Sequence, residues 1–340
     1  MIDLPTLERT MEELGQPSYR ARQVYEALTK RLATSFADMS ELPRSLREEL
    51  AARLRPCLLE EVETRESPRG SAVKALLRAA DGEPVEAVLM THRRRVTVCV
   101  STQVGCAVRC AFCASGSAGL RRSLSAEEIV DQVLGFMRRA QAQERRVTNV
   151  VFMGMGEPFH NYEETLRACR LLNDPGGVGL AARSISVSTA GVVPGIDRLA
   201  REALQVNLAV SLHAATDELR SRLVPLNRTY PLATLFAACA RYVGRTRRKL
   251  MFEYVVLSGV NDTGEQVEGL VRLLKRPLYH LNLIAYNETG GEFARPSLRE
   301  LTALRAALER RGLSCTVRES PGSEIDAACG QLALPRAGAQ

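Results

Sequence analysis

The chain has 340 residues, with 46 lysines and arginines against 39 aspartates and glutamates for a formal net charge of +7; 45% of its positions are apolar and 25% charged. That balance belongs to a protein that buries a real core, which excludes long disorder and collagen, and no stretch approaches the ~20 uninterrupted apolar residues of a bilayer span. The start is acidic and amphipathic, without a basic leader or an apolar run, so a cytoplasmic location is expected. Nine cysteines in a reducing compartment then read as metal, reaction or packing residues and not as a disulfide framework.

Up to about residue 80 the pattern is helical, with apolar positions three and four apart over 22–28 and 42–54, so residues 1–80 read as a small N-terminal helical accessory domain. From residue 83 onward short β-branched runs alternate with helical stretches, the signature of a largely parallel sheet. Strands are expected at 96–101, 147–153, 184–189, 206–212, 250–257 and 278–285, with a leading strand near 85–90. Ser125 and Glu128 form a capping-box pattern that opens a helix over 129–142, and further helices are expected at 194–204, 232–243 and 265–274. Six βα units fall short of the eight of a closed barrel, so an incomplete barrel and a doubly wound open sheet both fit. The tail 333–340 is expected to be loose.

Both architectures gather chemistry at the carboxyl ends of the strands, and the unusual motifs fall there. Cys106-Ala-Val-Arg-Cys110-Ala-Phe-Cys113 follows the first strand, Gly154-Met-Gly-Glu157 the second, Ser188-Thr-Ala-Gly closes the third, Ser211-Leu-His213 the fourth, and Tyr286-Asn287 follows the sixth. CxxxCxxC supplies three thiolates on a tight loop. Structural zinc asks for four ligands, as do ferredoxin-type clusters in their own runs. Three thiolates leave one iron of a [4Fe–4S] cluster open to chelate a small molecule, and this spacing is the mark of radical S-adenosylmethionine enzymes. Zinc and plain packing stay open as alternatives at this point.

The sequence as a whole resembles the RlmN/Cfr family of radical-SAM RNA methyltransferases. The likeness is carried by 98–106, by Phe152-Met-Gly-Met-Gly-Glu157-Pro158, Ser211-Leu-His213 and Gly259-Val-Asn-Asp262, and by 322–332 with Cys329; it covers nearly the whole chain. The resemblance implies an α/β fold, a partial (βα)6 TIM-like radical-SAM barrel over 83–332 beside the N-terminal helical domain. It implies one [4Fe–4S] cluster on Cys106, Cys110 and Cys113, and two S-adenosylmethionine molecules per turnover contacted by Gly156, Glu157, Ser188, Ser211, Leu212, His213 and Asn287. The family commonly has Pro after that asparagine, and here Glu288 follows Asn287, with Ala285 where Pro is usual.

An adenine ring carbon bearing hydrogen is not a nucleophile, so methylation there needs a radical route. The family mechanism implies that Cys329 is first methylated, that its methyl then loses a hydrogen atom and adds to the ring, that Glu86 accepts the ring proton, and that Cys99 releases the product through a Cys99–Cys329 disulfide. Read alone, Cys99 in Val96-Thr-Val-Cys-Val is a small buried hydrophobe, Glu86 a solvent-facing strand residue and His213 a structural histidine. Cys57, Cys169, Cys239 and Cys315 match no motif and are assigned to packing.

Residues 86–340 hold 33 basic and 24 acidic side chains, against 13 and 15 in 1–85, and the basic runs 92–95, 121–122, 138–139, 145–146 and 245–249 belong to the larger part. Each run alone is more often a solvated face, but their segregation points to an RNA-facing barrel. The implied partners are 23S ribosomal RNA at the peptidyl-transferase centre, the transfer-RNA adenosine just 3′ of the anticodon, and an external flavodoxin-like electron donor, with no membrane and a monomeric protein. Glu157-Pro158-Phe and the Ser188 motif favour methylation at adenine C2, and Tyr286-Asn287 leans toward the C8 methylation of Cfr. Outside this reaction stand another radical-SAM enzyme, such as a glycyl-radical activase or a thiotransferase, and a non-catalytic iron–sulfur or zinc RNA-binding protein.

Overall fold

The computed structural model describes residues 3–333, so most of the tail expected to be loose lies outside the described residues. Three helices open the chain: α1 (Leu4–Glu13), α2 (Tyr19–Thr29) and α3 (Arg44–Arg53). Asp3 caps α1 by accepting from the Thr6 amide at 3.2 Å, with Pro5 in the first turn where its missing N–H costs nothing. The apolar stripes read from the sequence meet here, burying Leu7, Met11, Val24, Leu28, Leu46 and Leu50.

The helical texture expected up to residue 80 ends at Arg53. Residues 59–79 form two strands, β1 (Leu59–Glu66) and β2 (Ala72–Ala79), which extend the sheet of the larger part. Four glutamates mask β1 as a strand, and they are what an edge strand carries to block pairing with another chain.

Strands β3 (Pro84–His92) and β4 (Arg95–Cys99) lead into a two-stranded ribbon of β5 (Gln103–Gly105) and β6 (Leu120–Ser123), with the short α4 (Ala114–Ser117) between them. There follow α5 (Ala126–Ala142), β7 (Asn149–Phe152), α6 (Tyr162–Asn173), β8 (Ile185–Thr189), α7 (Val193–Leu199), β9 (Asn207–Ser211), α8 (Asp217–Leu223) and α9 (Leu232–Thr246). The chain closes with β10 (Leu250–Val256), α10 (Gly264–Leu274), β11 (Tyr279–Ala285), α11 (Leu298–Arg310) and β12 (Cys315–Arg318). Both halves of the Ser125–Glu128 capping box are formed at the start of α5.

The strands make one sheet in the order β1-β2-β3-β4-β7-β8-β9-β10-β11-β12, antiparallel from β1 to β4 and parallel from β4 to β12. All six expected βα strands are present, and β12 adds one more parallel strand. The edges β1 and β12 do not pair, so the barrel stays open. It is nevertheless curled, because Cys99 of β4, Ile284 of β11 and Arg318 of β12 line one cavity. A flat doubly wound sheet cannot bring those strands together, and the partial barrel is the fold.

Valines, leucines and phenylalanines of β7 to β11 are buried, the half-buried Val151 excepted, as in a parallel sheet covered on both faces. The N-terminal helices dock against this body. Tyr25 donates to Asp174 at 2.8 Å, and Arg167 on α6 bridges Asp3, Glu127 and Glu164. Among the described residues no helix is long and apolar enough to cross a membrane.

Candidate active site

The cysteine loop is built by close backbone approach. Gly105 has φ +78, and a Cβ there would lie 1.8 Å from the Gly119 carbonyl; a Cβ on Gly116 would lie 2.9 Å from Arg109 Cα. Arg109 itself adopts φ 56 between the first two cysteines. Hydrogen bonds then pin the loop to three other segments: Cys106 N to Gly119 O (3.0 Å), Ala111 N to Leu223 O (2.9 Å) and Ala114 N to Gly330 O (2.8 Å). Val108 and Phe112 anchor it in a second apolar cluster with Ala190, Leu223, Val255 and Tyr286.

The three cysteines open on a cavity of about 130 Å³, whose wall also holds Gly154, Gly156, Glu157, Ser188, Ser211, His213, Glu253 and Cys329. Burial pushes the Cys106 thiol up to about 12, so an iron must displace its proton to bind. Among the described residues no trio of His, Cys, Asp or Glu is arranged to hold a single metal ion. A four-iron cluster does not ask for that, since each thiolate takes its own iron. Three thiols on a rigid loop, facing a glycine-lined polar cavity, fit such a cluster with one iron left for a small ligand.

The cofactor side is equally constrained. Gly156 has φ +99, and a Cβ there would meet Gln103 Cβ at 2.6 Å. Glu157 is buried, accepting from Ala190 N at 2.6 Å and Phe159 N at 3.0 Å, and burial raises its pKa to about 7. It therefore staples the loops after β7 and β8 together while lining the cavity. His213 stands at φ 59 with its Nδ1 accepting from Val255 N at 3.0 Å, which fixes the proton on Nε2. Its ring meets the edge of Phe112 with centroids 4.6 Å apart.

Two expected cofactor residues lie behind the wall. Leu212 is fully buried and takes part through its backbone, and Asn287 is buried with its side chain donating to the Cys329 carbonyl at 3.2 Å and accepting from Arg295 at 2.8 Å. Asn287 thus positions Cys329.

Cys329 lines the cluster cavity and also a second cavity of about 70 Å³, where Cys99 and Arg318 stand. Cys329 is exposed, and loss of hydration around its sulfur pushes the thiol up to about 11. Cys99 is buried on β4 opposite Val88 of β3 and Val151 of β7, its thiol pushed up to about 12 by burial. Glu86 is buried, not solvent-facing. It pairs with Lys74 at 3.0 Å and accepts from Ala333 N at 2.9 Å, tying the segment after Cys329 to β3; burial raises its pKa against the pull of Lys74.

Sequence reasoning missed three cations. Lys74 holds Glu86, and Arg318 opposes the raised pKa of both Cys99 and Cys329. Arg220 is fully buried without a carboxylate partner among the described residues; it donates to the carbonyls of Ala190 (2.7 Å), Ser211 (3.0 Å) and Leu212 (3.1 Å) and to Asn227 Oδ1 (2.9 Å). It therefore ties the ends of β8 and β9 together. Its only sequence signal was its place on α8, a few residues after Ser211-Leu-His213.

Comparison with known proteins agrees with this geometry. Residues 100–274 match the model of the radical SAM superfamily, and residues 2–55 match that of the ribosomal RNA large subunit methyltransferase N-terminal domain. A protein of Symbiobacterium thermophilum named as a probable dual-specificity RNA methyltransferase RlmN is 44% identical over 97% of this chain and 90% of its own length. One of Heliobacterium modesticaldum with the same name is 47% identical over 94% of this chain and 84% of its own. The crystal structure of a radical SAM methyltransferase from Sphaerobacter thermophilus superposes with a TM-score of 0.95 at 50% identity, covering 96% of each chain.

Proposed function

We propose, since this chain belongs to the RlmN family of radical-SAM RNA methyltransferases, that it methylates C2 of an adenosine in 23S ribosomal RNA and the transfer-RNA adenosine 3′ of the anticodon. The observation that carries the two-thiol scheme is the position of Cys329, on the wall shared by the cluster cavity and the cavity of Cys99. Cys106, Cys110 and Cys113 would hold the [4Fe–4S] cluster, with S-adenosylmethionine against Gly156, Glu157, Ser188, Ser211 and His213. When bound, these groups supply an electrophilic methyl group and, from a second S-adenosylmethionine, a hydrogen-abstracting 5′-deoxyadenosyl radical.

The chain does the rest. The Cys329 thiolate takes the methyl by displacement; once that methyl has lost a hydrogen atom, its carbon radical adds to adenine C2, and the unpaired electron left on the ring would pass back to the cluster held by Cys106, Cys110 and Cys113. Glu86, buried with a raised pKa, accepts the ring proton, which suits a general base in a closed site. The Cys99 thiolate then attacks the Cys329 sulfur: the S–S bond forms as the sulfur–carbon bond breaks, and the carbon leaves with the electron pair and takes a proton. The enzyme works in the cytoplasm as a monomer with an external flavodoxin-like electron donor, and reduction of the Cys99–Cys329 disulfide resets it.

Mass analysis of RNA bound to purified Cys99→Ala protein tests this scheme. RNA covalently held by Cys99→Ala, and neither adduct nor methylation from Cys329→Ala, is the expected pair of results; a fully active Cys99→Ala variant refutes the two-thiol scheme. Digestion of RNA modified by the wild type should release 2-methyladenosine, and 8-methyladenosine alone would overturn the C2 assignment.

A further inference from the structure

Most of the basic runs singled out in the sequence do not surround the catalytic mouth. Parallel strands send all their amino ends to one face, and the loops there hold 93–94 before β4, 145–146 before β7, 247–249 before β10 and 275–276 before β11. The loops join into a rim: Arg145 donates to the Arg93 carbonyl at 2.7 Å, and Leu250 N to Leu278 O at 2.8 Å. Arg94, Arg146, Lys249 and Arg276 are exposed on it, and none of the four meets a carboxylate among the described residues. Glu144 is the single acidic residue in these four loops.

The opposite rim has the reverse character. The loops after β10, β11 and β12 hold Asp262, Glu288, Glu292, Glu324 and Asp326 against Arg295, while Glu319 turns back to His92 at 3.5 Å, beside 93–94. Arg121 and Arg122, the basic run that does lie near the mouth, are tied to Glu83, Asp81 and Glu128. On the basic side a groove of about 920 Å³ opens between α2 and the barrel, lined by Lys30, Arg145, Arg146 and the glycine-rich backbone of 177–181.

An exposed belt of cations without carboxylate partners, beside a groove, is the electrostatic footprint of a polyanion and not of an apolar partner. An electron donor docked there would be separated from the cysteine loop by the whole length of the sheet. We infer that this amino-end rim, with the groove under α2, is a second RNA-binding face that holds backbone phosphates of the substrate roughly 23 Å, the length of a seven-residue strand, from the adenosine in the mouth. The inference rests on the RNA methyltransferase reading and adds where the RNA runs.

The test is the fourfold charge reversal Arg94→Glu, Arg146→Glu, Lys249→Glu and Arg276→Glu, on four side chains that take no part in the catalytic wall. Two RNAs are titrated by filter binding over a salt series: a short single strand carrying one adenosine, and a folded transcript long enough to reach both faces. For the folded RNA we expect at least tenfold weaker binding and a salt slope shallower by about three, at ~0.7–0.9 for each phosphate no longer neutralised. Binding and methylation of the short strand should stay at wild-type levels, as should the circular-dichroism melting curve. Wild-type affinity and slope for the folded RNA would overturn the inference, and so would equal weakening for both RNAs. Failure of the wild type to methylate either RNA strikes the proposed reaction instead, because the rim is read out by binding.

Discussion

His213 is held neutral in the cavity wall by burial, which lowers its pKa to about 3. An unfolded histidine titrates near 6.5, so between those values the unfolded chain binds the extra proton. Stability is therefore lost as pH falls below about 6.5, by up to about 1.4 kcal/mol per pH unit from this group. Urea midpoints from pH 7 to pH 4 should show that slope in the wild type and a shallower one in His213→Gln; identical slopes would sink the assignment. Arg318 carries a different prediction. It shares a cavity with both reacting thiols, which burial alone would keep protonated. In Arg318→Gln the single-turnover rate at neutral pH should fall about tenfold, one pKa unit's worth, and recover as pH rises, with Arg318→Lys largely restoring it. A pH–rate profile that superimposes on the wild type would remove Arg318 from the chemistry.

The loop after β7 shows why an element can be read from the sequence while its tolerance cannot. GxGE announces a close backbone approach, but only the folded ribbon puts Gln103 against Gly156, with its Oε1 accepting from Glu157 N at 2.9 Å. Gly156→Ala needs both a strained φ and the displacement of Gln103, so it should cost about 1–3 kcal/mol and weaken S-adenosylmethionine binding. A melting curve and a calorimetric titration check the two parts; an unchanged binding constant would mean that the loop adapts. The strands of the barrel are legible because β-branched runs and helical periods are local signals. β1 and β12 are not, because edge strands are recognised by the neighbour they pair with, and α6 and α11 escape the sequence reading although their apolar stripes are present.

At the scale of the whole molecule, the N-terminal helices share one apolar core with the barrel and are also tied to it by polar contacts, those of Arg167 among them. Its partner Glu127 keeps only 6% of its side chain exposed, while Arg167 keeps 37%. Arg167→Met leaves that carboxylate uncompensated, and after allowance for the exposed arginine the cost should be about 1–3 kcal/mol. The melting temperature should fall and limited proteolysis should release the first helices sooner; an unchanged digestion pattern would show that apolar packing alone holds them. The sequence by itself determined the cluster loop, the βα rhythm, the glycine turns and the excess of basic residues, since each is written in spacings of a few residues. Only the tertiary structure decided that the sheet curls, that Cys329 stands between the cluster cavity and Cys99, that Asn287 donates to the Cys329 carbonyl, and that three of the five basic runs lie where strands begin. The reason is that strand curl joins residues more than two hundred positions apart, and parallel alignment sorts strand beginnings from strand ends, neither of which leaves a local period to read.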